Sequence, residues 1–83
     1  MQEPSLTGRH IRAARGALNW SVQDLAERTN VGTATIVRYE AEEGTPKSRK
    51  GHLETIRAAL ESAGIEFIVT PDGAPGIVIR TTR

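Results

Sequence analysis

Ser21-Val22-Gln23-Asp24-Leu25-Ala26-Glu27-Arg28-Thr29-Asn30-Val31-Gly32-Thr33-Ala34-Thr35-Ile36-Val37-Arg38-Tyr39-Glu40 holds two short helical patterns joined by an abrupt polar turn. Ser21 followed three residues later by Asp24 makes a capping arrangement, and Val22, Leu25 and Ala26 fall on one helical face. Asn30 and Gly32 tolerate left-handed or extended backbone, so the chain can reverse there, while Val31 between them is apolar and can plug the angle between two helices. The second pattern sends Ile36 and Tyr39 inward and leaves Thr33, Ala34, Val37 and Arg38 on the other face. A solvated helix face usually carries several Lys and Glu, so this bare one invites contact with another molecule.

Outward from this stretch, residues 1–6 read as a loosely held tail, with Pro4 and no periodicity. A first helix begins near Thr7, where Ile11, Ala14, Arg15 and Leu18 recur at helical spacing, and Trp20 is expected in the core as a staple ahead of the Ser21 cap. After Glu40, Gly44 and Pro46 mark a loop. A fourth helix should start between Ser48 and His52 and run to Ala63, with Leu53, Ile56, Leu60 and Ala63 inward and Gly64 as its stop. Two β-rich runs follow, 65–70 and 76–80, separated by Pro71-Asp72-Gly73-Ala74-Pro75, which predicts a hairpin. An isolated hairpin is marginal in water, so this one must cover its own helices or pair with something else. The expected arrangement is a two-fold dimer with a four-stranded intersubunit sheet, placing Ile65, Phe67, Ile68, Val69, Ile77, Val78 and Ile79 at the dimer interface.

Size and composition exclude several function classes. At 83 residues the chain can bury a modest core but cannot build a deep cleft around a large substrate. There is no cysteine, hence no disulfide or thiolate metal site, and no apolar run long enough to cross a bilayer. Residues 1–5 lack the basic start and apolar block of a secretion signal, so a cytoplasmic location is expected. His10 and His52, the only imidazoles, sit among basic neighbours without ligand spacing and are read as surface residues; no serine has a matched His and Asp. The expectation is a non-enzyme without metal or cofactor. Net charge is only +1, yet its distribution is uneven: Arg9, Arg12 and Arg15 crowd the first helix, and Lys47, Arg49 and Lys50 follow the second half of the central motif. Ser21 and Gln23, at a helix N-terminus with free amides, join Lys47, Arg49 and Lys50 as candidate phosphate contacts.

The pattern Ile11…Ala14-Arg15…Leu18…Trp20-Ser21…Leu25-Ala26…Val31-Gly32…Thr35-Ile36…Arg38-Tyr39-Glu40 resembles the phage-repressor (Cro and C1-repressor, XRE-like) helix-turn-helix family, over about residues 7–63. The resemblance implies a mainly α, four- to five-helix lambda-repressor-like domain, here followed by the β-hairpin extension 64–83. It implies that helix 33–42 enters the major groove of double-stranded DNA with Thr33, Ala34, Val37 and Arg38 at base edges. It also implies that Arg15 and Glu40 form a structural ion pair. The resulting expectation is a homodimeric transcriptional regulator reading an inverted-repeat operator. The alternative is an adaptor or antitoxin of the same fold whose C-terminal hairpin binds another protein.

Overall fold

Reciprocal caps start the first two helices. The Thr7 hydroxyl accepts from the main-chain N–H of His10, and His10 Nδ1 accepts from the Thr7 N–H at 3.1 Å, which opens α1 (Gly8–Ala17). This is a capping box with histidine where Glu or Gln is usual. Ser21 and Asp24 do the same for α2 (Val22–Thr29), which ends on Asn30 in the left-handed conformation at φ 59°. Val31 is buried in the reversal, and α3 (Thr33–Glu40) follows directly. Later come α4 (His52–Ser62), a turn through Gly64 at φ 108°, and an antiparallel pair, β1 (Ile65–Val69) and β2 (Pro75–Ile79), with Phe67 opposite Ile77. This computed structural model describes residues 6–47 and 51–80, so the expected contacts of Arg49 and Lys50 lie outside the described residues.

One core joins all six elements. Ile11 and Ala14 of α1, Leu25 of α2, Ile36 and Tyr39 of α3, and Ile56 and Leu60 of α4 are buried together. Leu6, read from the sequence as part of a loose tail, is buried in that core as well. Trp20 is only partly buried against it, with the Arg28 guanidinium 4.2 Å from its ring centroid.

The hairpin covers its own helices, one of the two arrangements open to it. Ile65 and Phe67, assigned from the sequence to a dimer interface, are 2% and 5% exposed and belong to the core of their own chain. Burying such side chains contributes about 1.5–3 kcal/mol each as an upper estimate, enough to anchor a hairpin that would be marginal alone. The alternation responsible is Ile65 in, Glu66 out, Phe67 in. Ile77 packs against the same core from β2. The strands pack on α1 and α4, whereas α3 packs on α1 and α2.

His10, read from the sequence as a surface residue, fastens the strands to α1 and is 1% exposed. With Nδ1 accepting from Thr7, the ring proton sits on Nε2, which donates to the Ile68 carbonyl at 3.2 Å. The imidazole also meets the Phe67 ring edge to face at 5.3 Å. His52, half-buried, lies 3.4 Å from the Tyr39 hydroxyl through Nδ1 and so links α4 to α3.

Gly8 sets the distance between α1 and α3. Its N–H donates to the Gly44 carbonyl at 3.1 Å, and a Cβ there would collide with the carbonyl oxygens of Tyr39 and Glu42. The positive end of α1 thus rests on the carbonyl end of α3, a favourable dipole arrangement. Gly16, on the same helix, has open space around its Cα. Gly8→Ala should therefore lower stability by about 1–3 kcal/mol through forced backbone displacement. Gly16→Ala should raise it by up to about 1 kcal/mol. Urea unfolding of both variants checks the pair.

Candidate nucleic-acid interface

Geometry around α3 is set by a bidentate ion pair. Arg15 Nε donates to Glu40 Oε2 at 2.8 Å and Arg15 Nη2 donates to Glu40 Oε1 at 2.9 Å. Arg15 Nη1 also donates to the Trp20 carbonyl at 3.0 Å. One guanidinium thus fixes the end of α3 and the turn into α2 relative to α1. The Glu40 carboxylate raises the pKa of Arg15, against the opposing effect of burial. Arg15 is therefore not on the outer surface with Arg9 and Arg12, which are exposed.

With Ile36, Tyr39 and Glu40 turned inward, Thr33, Ala34, Val37 and Arg38 are exposed on one face of α3. Val37 is 55% exposed, and among the described residues only Val37, Val69 and Ile79 are large apolar side chains left so open. The Arg38 guanidinium lies 5.6 Å from the Tyr39 ring centroid and borders a cleft shared with Glu42, Thr45, Pro46 and Lys47. Lys47 is exposed beside the buried Pro46. Arg38 and Lys47 thus form a cationic rim at the C-terminal end of the bare face.

At the start of α2, the Ser21 N–H donates to Asp24 Oδ2 at 2.9 Å while its hydroxyl accepts from the Asp24 N–H at 2.9 Å. The Ser21 N–H and a lone pair of its hydroxyl are thus engaged in the cap. Gln23 is exposed, with Nε2 donating to Glu27 Oε2 at 3.3 Å. The Ser21 N–H and then its hydroxyl hold the Asp24 carboxyl below its ordinary value of 3.8. Among the described residues no group of three His, Cys, Asp or Glu is disposed to hold a metal, and no helix is long and apolar enough to cross a membrane.

Two expected outcomes follow from these bonds. Glu40→Ala should lower stability by about 1.5–3 kcal/mol, the scale of hydrogen bonds to a charged group, because it leaves the half-buried Arg15 without its carboxylate; thermal unfolding measures it. The folded state also binds the Asp24 proton less readily than the unfolded chain. The stability contributed by the cap is therefore present above 3.8 and declines as pH falls through the lowered value. Acid titration of the melting temperature should accordingly be shallower in Asp24→Asn than in the wild type.

A helix-turn-helix family model matches residues 11–50, the span from the core face of α1 through α3 and the loop beyond it. Comparison with curated proteins returns no match. The model is one of DNA-binding regulatory domains. Residues 11–50 thus match the helix-turn-helix family of the Cro/C1 type.

Proposed function

We propose that the chain is a sequence-specific, DNA-binding transcriptional regulator that acts as a homodimer on an inverted-repeat operator. The observation that carries this reading is the outer face of α3, where Thr33, Ala34, Val37 and Arg38 are exposed together on a helix whose opposite side is locked into the core. In the major groove, the methyl groups of Thr33, Ala34 and Val37 meet thymine C5-methyl groups, and the Arg38 fork gives two hydrogen bonds to guanine O6 and N7. Lys47 and the amide end of α2 near Gln23 hold phosphates, which sets register and not sequence. Two copies of α3 then occupy successive major grooves about 34–36 Å apart. Neutralising several phosphates makes affinity fall steeply with salt, so a formal net charge of +1 is no obstacle to useful binding.

A second reading, an adaptor or antitoxin that binds another protein through the hairpin, is favoured by the exposure of Val69 and Ile79. It is compatible with the first, since α3 and the hairpin occupy different parts of the surface.

Selection from random duplex DNA at low salt should enrich an inverted repeat; recovery of none would remove the operator. On the recovered site, Arg38→Ala should relax preference at one base pair per half-site, costing about 1–3 kcal/mol there. Lys47→Ala should weaken all sequences alike and flatten the salt dependence by about one phosphate. Replacing thymines that face α3 by uracil should cost roughly 0.8 kcal/mol per methyl, and Val37→Ala should blunt that sensitivity. Equal losses for every sequence in both charge variants would take Arg38 out of the reading set.

A further inference from the structure

The exposed residues of α3 are Thr33, Ala34, Val37 and Arg38, and between them they carry no carboxylate and no carboxamide. The Glu40 carboxylate is buried and held by Arg15, and the next acidic side chain, Glu42, lies beyond the end of the helix. In the major groove adenine is read by Asn or Gln, and the cytosine N4 amine by an acceptor such as Asp or Glu. The outer face of α3 holds none of these groups, and its only side-chain acceptor is the Thr33 hydroxyl.

What the face presents instead is methyl surface, set close to whatever it meets. Gly32, which precedes α3 with open space around its Cα, and Ala34 keep the first turn thin, so no bulky side chain holds the main chain away from a groove floor. Val37 stands three residues after Ala34, on the same side of the helix, and is 55% exposed. Its χ1 is nearly fixed in a helix, so both methyl groups are presented with little loss of rotamer freedom. Arg38 and Lys47 border the patch with positive charge, which suits a polyanion and not an apolar protein face.

We propose, in an inference that rests on the reading of α3 as a major-groove helix, that its ligands include duplex DNA methylated at cytosine C5, with 5-methylcytosine taken in place of thymine. Both bases project a methyl group from C5 into the major groove. They differ at C4, where thymine has an acceptor oxygen and cytosine a donor amine, and neither Ala34 nor Val37 has a side-chain polar atom that registers the difference. The exchange also turns the opposite adenine into guanine, and the face has no amide that would miss the adenine. An unmethylated cytosine lacks the methyl contact. Methylating a cytosine that faces Ala34 or Val37 therefore converts a weak site into a strong one with no change of base sequence, and occupancy follows the methylation state of the DNA.

Fluorescence anisotropy on the inverted repeat recovered from random duplexes tests this. Each position facing α3 is filled in turn with thymine, uracil, 5-methylcytosine or cytosine, with the matching purine opposite. Thymine differs from uracil, and 5-methylcytosine from cytosine, by one methyl group only. That methyl should tighten binding about fourfold, the effect of burying one such apolar group, and by a similar factor in both pairs. Val37→Ser should bring both ratios at its position close to one with an unchanged circular dichroism spectrum, whereas Lys47→Ala should weaken every duplex and keep the ratios. A thymine methyl effect without a 5-methylcytosine effect would overturn the proposal and leave α3 as the reading helix. Absence of both methyl effects on an operator that is bound would do the same. Recovery of no enriched sequence would overturn this proposal and the operator reading together.

Discussion

The bidentate bond between Arg15 and Glu40 is the constraint on which the rest of the arrangement depends. It spans 25 residues of sequence and fixes α3 relative to α1 at the point where the outer face of α3 is defined. Glu40 directs that end of α3 inward, and the remaining nitrogen of Arg15 holds the turn leading to α2. Whether such a pair adds net stability over an apolar substitute is a separate matter, because desolvation opposes attraction. Its geometric effect is clear: three helices share one half-buried guanidinium, and α3 has one orientation available to it. Gly8 adds a steric condition at the other end of α1, where only a hydrogen in place of a side chain lets the helix meet the carbonyls that finish α3.

The helical part of this fold was legible in the sequence for physical reasons. Ser21 and Asp24 advertise a cap, Asn30 and Gly32 advertise a reversal, and Ile11, Leu25, Ile36 and Leu60 recur with the helical period that puts them in one core. What escaped was set by tertiary contact. Leu6 has no periodic neighbour that would mark it as buried. His10 performs the task of a capping Glu or Gln, and nothing in its local sequence shows that the other face of its ring reaches the Ile68 carbonyl across 58 positions. In the hairpin the overall apolarity obscured a better signal. Glu66 between Ile65 and Phe67 marks a strand buried on one face only, so those two residues cover their own helices.

The candidate interface divides in the same way. That α3 presents Thr33, Ala34, Val37 and Arg38 together could be read from a helical wheel. That Arg38 leans toward Tyr39 and shares a cleft with Lys47 could not, because it depends on how the loop after α3 returns past its end. Nor does spacing reveal that Ser21, placed correctly at a helix start, has its N–H and a hydroxyl lone pair engaged by Asp24.

The histidine that bonds Thr7 on one side and Ile68 on the other has a consequence for how the molecule comes apart. The first turn of α1 and the end of β1 share a single buried ring, so neither can fray while the other stays protected. The C-terminal strands are thus part of the same cooperative unit as the helices, not an appendage behaving as a separate foldon. Any contact that steadies the strands also steadies the start of α1, and with it the carbonyl end of α3 on which Gly8 rests. Order in the strands and order at the start of α1 are linked through one buried imidazole.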